Sequence, residues 1–458
     1  METAILAIDL GASNGRGMIG QFDGRRLSME EVYRFGNNPM RMGQGVYWNY
    51  LQLYQEILNA LIECRRRGIR IDCIGIDSWA QDYALISKDG RVLGAPHSYR
   101  DARTQHAAAL VEEKLPGKRL FEITGMSGLT ISTLHQLACD QAFDPETYCA
   151  ADRMLYMPSL FIWLLCGEMV GEGTLPSLGH LLDIRSRTFS GEIAEAFDFA
   201  RLLPPMEEPG KIVGRTGRAV LEETGYDAIP IALVGSHDTA SAIAAIPEKD
   251  DFLFISSGTW SMMGITGSEP FMNDEVYQRG LYNTLAANGK IALMQGITGM
   301  YVIQQCMREW KREGREVGYS ALDAYAETHE GGARFDMDAL DTGAASMTAE
   351  VCRCIREAGE SPPANPEEYY LALVDSLADK YAKEIAGLEA AAGRRFDTLH
   401  IVGGGAKATA LNAAAAKASG KRVAAGQAEA TAAGNMLCQL KALGRADFED
   451  AGSVLGGA

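Results

Sequence analysis

The chain has 458 residues, 47% hydrophobic and 22% charged, a globular composition that excludes disordered, collagen-like and disulfide-scaffold classes. Its 60 acidic against 43 basic side chains give a net charge of −17, which argues against nucleic acid or an anionic membrane as partner, because both bind through clustered Lys and Arg. Small anions stay within reach, since backbone N–H groups at turns and helix N-termini hold a phosphate without a basic surface.

The first twenty residues, METAILAIDLGASNGRGMIG, predict an apolar strand, a glycine turn and a second strand. Leu51, Tyr54, Ile57, Leu58 and Leu61 recur at helical spacing within 50–67, and IDCIGIDSWA (71–80) follows as a buried strand. The most apolar window, 154–166, is interrupted by Pro158 and falls short of the roughly 18 residues a membrane span requires. IPIALVG (229–235) predicts another buried strand, running into Ser236-His237-Asp238-Thr239 and an Ala-rich helix. Then the opening pattern recurs: in DFLFISSGTWSMMGIT (251–266), Ile255-Ser256-Ser257-Gly258-Thr259-Trp260 is the counterpart of Ile8-Asp9-Leu10-Gly11-Ala12-Ser13. A repeat at this distance suggests two domains of similar topology in an α/β protein, expected as 1–245 and 246–458. The second half continues as a helix over 366–392, a strand at 398–402, three glycines at 403–405, an Ala-rich helix, a strand at 422–426 and a helix from 428. The tail 451–458 has little to pack and reads as loosely ordered. Nine scattered cysteines, without a C-x-x-C, read as reduced thiols. With no basic leader at the start of the chain, the expectation is a cytoplasmic protein.

Four groups of residues have chemistry to offer. Asp9 is the lone charge in AILAIDLG and needs donors or a cation where it sits. It precedes Gly11-Ala12-Ser13-Asn14-Gly15, small residues whose N–H groups can point at an anion, with Arg16 as a positive fork; paired with Ser257-Gly258-Thr259, this turn suggests a grip on two phosphates. Asp238, at a strand's carboxyl end, reads either as a general base or as a helix cap, and His237 either as a substrate contact or as a packed ring. Asp77, Trp79 and Asp82 place an aromatic beside carboxylates, a combination that suits a polyol as well as a tryptophan packed in the core. Finally, Gly403-Gly404-Gly405-Ala406-Lys407-Ala408 fits G-x-G-x-x-A, with Glu429 as the distal acid, and keeps a dinucleotide-dependent dehydrogenase open. No G-x-x-x-x-G-K-[ST] occurs, so any ATP site is of another type.

Taken together, IDLGASNGRG (8–17), IRIDCIGIDSW (69–79), YRDART (99–104), SHDTASA (236–242), SSGTWSMMG (256–264) and LHIVGGG (399–405) resemble the FGGY carbohydrate kinases of the actin/hexokinase/Hsp70-like superfamily, and among them the rhamnulokinases. The resemblance implies two ribonuclease-H-like α/β domains around a cleft and an ATP-dependent kinase acting on a ketose, by analogy L-rhamnulose. It implies Asp238 as catalytic base, Ala12, Ser13, Asn14, Gly15 and Arg16 as a phosphate loop, and Thr259 in a second one. Gly296, Gln304 and Gly403, Gly404 and Gly405 become nucleotide contacts; Ala80, Asp82, His237, Asp238 and Thr239 become sugar contacts; Asp9 and Asp238 hold magnesium through water. Where this family has W-G-V-D, the chain has Trp79-Ala80-Gln81-Asp82, and Gly296 stands in place of an asparagine. The added methyl at 80 narrows the sugar pocket and leaves L-fuculose, xylulose or another ketose open, beside an inactive sugar- or nucleotide-binding protein.

Overall fold

The structure, a computed structural model, describes residues 2–258 and 260–456. By its contacts the chain forms two α/β units. The first comprises the chain through Lys249, Gly267–Leu293 and the stretch from Ala430 onward; the second comprises Asp250–Thr266 and Met294–Glu429.

The sheet of the first unit contains β1 (Thr3–Leu10), β2 (Asn14–Phe22), β3 (Leu27–Gly36), β4 (Cys73–Ser78), β5 (Lys211–Arg215) and β6 (Pro230–Leu233), in the order β5-β6-β4-β1-β2-β3. β1, β4 and β6 are parallel, and β2, β3 and β5 are antiparallel to their neighbours. Successive side chains of β1 point to opposite faces. Leu6, Ile8 and Leu10 pack with Leu53, Ile57 and Leu61 of helix α1 (Tyr50–Arg66), whereas Ile5 and Ala7 pack with Ala432, Met436 and Leu440. With both faces covered, the strand is apolar from Ala4 to Leu10 except at Asp9.

In the second unit β7 (Leu253–Ser257) forms an antiparallel hairpin with β8 (Trp260–Gly267), and the strands run β9-β8-β7-β10-β11, with β9 Ile291–Thr298, β10 Thr398–Val402 and β11 Arg422–Ala425. β7 is parallel to β10, and β10 to β11. The arrangement of the first unit is thus repeated: a strand antiparallel to its successor on one side and parallel to a much later strand on the other.

Three further helices matter below: α2 (Asp238–Ala244), α3 (Tyr301–Arg312) and α4 (Pro366–Ala392). The limits of α4 follow from its ends, where Asn365 accepts from Glu368 N–H, Pro366 is the first residue and Gly393 closes the helix at φ 66°. α5 (Thr409–Ser419) follows β10, and α6 (Ala430–Ala442) follows β11. The tail corrects an expectation. Ala451–Leu455 is a helical turn whose Ala451 and Val454 are buried in the cluster containing Phe22, Leu27 and Met436. Ala451 and Val454, three positions apart on one helical turn, dock it with Leu455 packed alongside; residues 457–458 lie outside the described residues. Among the described residues no helix is long and apolar enough to cross a membrane.

Candidate functional site

The carboxyl ends of β1, β4 and β6 meet in the first unit. Trp79 N–H donates to Leu10 O (3.2 Å) and Ser78 N–H to Ser236 O (2.8 Å), tying three loops side by side. In open α/β sheets this edge is where ligands bind.

On the first loop, Ala12 is half-buried, Ser13 and Asn14 are exposed, and Gly15 lies under the Phe35 ring. Asn37 fixes the loop, its amide donating to Gly11 O at 2.7 Å. Arg16 stands opposite Asp9 in the hairpin register, and its Nε and Nη2 both lie 2.9 Å from Asp9 Oδ2. Asp9 thereby obtains the cation that its position requires.

Asp77 is register partner to Asp9 on the other side and is fully buried. One oxygen accepts from Asn435 Nδ2 at 2.6 Å, and Oδ1 has no partner. Burial, and next the charges of Asp9 and Asp238, push its carboxyl well above the usual range. Asn435 is itself held: Gln439 Nε2 donates to Asn435 Oδ1 (2.7 Å) and to Leu6 O (3.0 Å). Helix α6 comes this close because Gly434 faces Ser241 of α2, where a Cβ would fall 1.8 Å from the serine carbonyl oxygen.

Asp82 is enclosed rather than displayed. Trp48 Nε1 (2.6 Å) and Trp79 Nε1 (2.9 Å) donate to one oxygen and Gln136 Nε2 (2.8 Å) to the other, while the two indoles pack at 4.1 Å between centroids. Gln136 is oriented by Arg103 Nη2 on its carbonyl (3.2 Å). Burial raises the Asp82 carboxyl to about 6, against the three donors. Asp82, expected as a sugar contact, thus lies beneath two tryptophans whose indole N–H groups donate to it. Ala80 is half-buried in the same loop, and Gln81 has φ 84°, a left-handed conformation costly for a residue with a Cβ. Thr133 stabilises it, its N–H on Gln81 Oε1 (3.2 Å) and its hydroxyl on Gln81 O (2.9 Å).

Asp238 is the first residue of α2, and the cap position belongs to His237, whose side chain makes no cap bond. Thr239 N–H (2.5 Å) and Oγ1 (3.0 Å) both donate to Asp238 Oδ1, and His237 Nε2 lies 3.3 Å from the same atom. With 36% of its side chain exposed, Asp238 has one oxygen anchored and the other available. His237 is buried, which lowers its pKa and keeps the ring neutral. The loop is positioned by buried Glu172, which accepts from Ser236 N–H (3.1 Å) and Thr174 N–H (2.7 Å); Thr174 Oγ1 in turn accepts from His237 N–H (3.1 Å).

Sequence reasoning missed Glu172, Gln136, Trp48, Asn435 and Gln439. The only signal available was polarity inside otherwise apolar segments, as in NMLCQL (435–440).

In the second unit, Thr259 lies outside the described residues. Gly296 is exposed on β9, and Gln304 is half-buried on α3 next to the Tyr319 hydroxyl. Trp260 stacks on Tyr301 at 5.7 Å and 10° between planes. The turn 403–405 follows β10: Gly403 has φ 82° and donates to Gln427 O (2.9 Å), and Gly404–Lys407 is a single tight turn. Ser257 explains two of its glycines. A Cβ on Gly403 would stand 2.7 Å from Ser257 O, and one on Gly405 would stand 1.9 Å from Ser257 Oγ. Close approach to the first hairpin of this unit, in a sheet that is not all parallel, replaces the dinucleotide explanation of G-x-G-x-x-A. Glu429 directly precedes α6.

Residues 4–245 match the N-terminal domain and residues 253–443 the C-terminal domain of the FGGY family of carbohydrate kinases. The chain is 32% identical to a rhamnulokinase of Bacteroides thetaiotaomicron, over 97% of this chain and 92% of the relative, and 34% identical to one of Klebsiella pneumoniae strain 342, over 96% and 89%. Among solved structures it is similar to a xylulose kinase from Lactobacillus acidophilus (TM-score 0.79, 14% identity, 100% of this chain and 93% of that one) and to Plasmodium falciparum glycerol kinase with ADP (0.76, 16%, 97% and 93%). At these identities the structures speak for the fold.

Proposed function

The chain belongs to the FGGY family of carbohydrate kinases and is a sugar kinase; from this we propose that it transfers the γ-phosphoryl group of ATP to a ketose, L-rhamnulose by similarity to the rhamnulokinases, giving a sugar 1-phosphate. Asp238 is the general base. The observation that carries this is its asymmetry: Oδ1 is fixed by Thr239, and Oδ2 is left to accept the proton of the attacking hydroxyl. Ala80, Asp82, His237 and Thr239 shape the sugar site, Asp82 through the two indoles it orients. Residues 1–245 supply sugar site and base, and 246–458 the adenosine turn.

ATP is assigned to Ala12–Arg16 in the first unit and to Thr259, Gly296, Gln304 and Gly403–Gly405 in the second. Asp9 and Asp238, whose charges both act on Asp77, would hold a hydrated magnesium. When bound, magnesium neutralises charge on the β- and γ-phosphates. The protein's share is positioning and electrostatics, as in phosphoryl transfer generally.

A panel of ketoses tested for sugar-dependent ADP release decides the substrate. L-rhamnulose is expected to give the highest kcat/KM, and a leading L-fuculose or xylulose would assign the narrowing at Ala80 to specificity. Binding of magnesium-ATP with no ADP release on any ketose would overturn the proposal.

A further inference from the structure

Three hydroxyls in the second unit are buried without a hydrogen-bond partner: Ser257 Oγ, Ser261 Oγ and Tyr381 Oη. Orphaned buried polar groups are rare, and these three are neighbours. Ser257 and Ser261 are register partners across the β7–β8 hairpin, and both hydroxyls act on the buried Tyr381 phenol, partly offsetting the rise that burial gives its pKa, without a hydrogen bond being formed.

Each serine supports a different glycine. A Cβ on Gly405 would fall 1.9 Å from Ser257 Oγ, and one on Gly299 would fall 2.4 Å from Ser261 Oγ. Met300 N–H also donates to Gly258 O at 3.1 Å, joining the 299 segment to the hairpin turn. One phenol in the interior of α4 therefore reaches the base of two glycine segments. The phenol ring fills space as a phenylalanine would, so the hydroxyl is what distinguishes the choice of Tyr at this position.

We propose that Tyr381 is a positioning residue for the nucleotide: through Ser257 and Ser261 its hydroxyl sets the spacing of the Gly299 segment and the Gly403–Gly405 turn. This rests on the assignment of that turn to ATP. The hydroxyls form a hydrogen-bonded set when the two segments close on the nucleotide, so the free energy of those bonds appears in nucleotide affinity and not in sugar affinity.

Calorimetric titration of the full-length protein with ADP and magnesium tests it. Tyr381→Phe is expected to weaken ADP binding about threefold to tenfold, the worth of a neutral hydrogen bond, with the ketose KM and melting temperature near wild type. Ser257→Ala is expected to do the same, and the double variant to bind no more weakly than Ser257→Ala alone, because groups acting as a unit are non-additive. Unchanged ADP affinity in Tyr381→Phe overturns the inference. So do losses that multiply in the double variant, or a loss shared equally by ketose KM and melting temperature, which marks general packing. Failure of the wild type to bind ADP is a separate result, and it removes the nucleotide assignment itself.

Discussion

The two hairpins share a topology and differ in charge. In the first, Asp9 faces Arg16 across the antiparallel pair and Asp77 across the parallel one. In the second, the corresponding Ser256 faces Met262 and Val402. Charge is concentrated on the first hairpin, and the turn of the second is surrounded by hydroxyls and glycines. The same backbone plan thus carries a charged pair in one unit and close-packed small residues in the other. A carboxylate inside a sheet needs a local counterpart, which Arg16 gives Asp9, whereas the approach of Gly403 and Gly405 to Ser257 leaves no room for larger side chains.

The strongest way to break this division is Asp238→Asn. The amide oxygen can still accept from Thr239, so fold and ATP binding should hold while kcat falls about 10²–10⁴-fold, the usual worth of a positioned base. Near wild-type turnover on the preferred ketose would move the base elsewhere.

Asp82 sharpens it through pH. A carboxyl raised to about 6 contributes stability that is fully present below the ordinary carboxylate value and is lost as pH rises through 6. That interval corresponds to about 3 kcal/mol. Asp82→Asn has no such titration, so by denaturant unfolding its cost relative to wild type should be larger at pH 4.5 than at pH 7. An equal cost at both would show that the group ionises normally.

Asn435→Leu leaves the Asp77 carboxyl without its donor, and should cost about 1–3 kcal/mol in unfolding free energy. A loss below 0.5 kcal/mol, on the order of a surface change, would make the contact incidental.

The second unit pairs an effect of similar size with the smallest one. Gly405→Ala forces a Cβ onto Ser257 Oγ and should cost about 1–3 kcal/mol, whereas Gly404→Ala, with nothing within 4 Å of its Cβ, should be close to neutral in stability. Equal costs by thermal melting would refute the role given to Ser257.

How much of this was legible depended on whether the signal was local. Both hairpins were, because apolar strands broken by glycines recur with the same spacing, and so was α4, whose Asn365-Pro366 start and Gly393 stop are written in adjacent residues. Asp238 was visible as a residue after a buried strand, although only the structure shows that His237 takes the cap position. The partners were not legible. Asn435 meets Asp77 across 358 positions and Gln136 meets Asp82 across 54, and no periodicity encodes such pairs. The ion pair of Arg16 with Asp9 was not legible either, since a register partner appears only when the strands pair. The tail misled because Ala451, Val454 and Leu455 find a surface assembled from distant strands.

The bond from Gln439 to Leu6 O spans 433 residues, and this has a consequence for synthesis. A ribosome adds roughly 5–20 residues per second, so the first strand emerges on the order of tens of seconds before the helix that covers one of its faces. During that interval Ile5, Ala7 and Cys73, all buried against α6 in the finished protein, have no permanent cover. A chain that ends before residue 430 would leave this apolar sheet face uncovered, and it is expected to aggregate rather than to fold as a shorter domain.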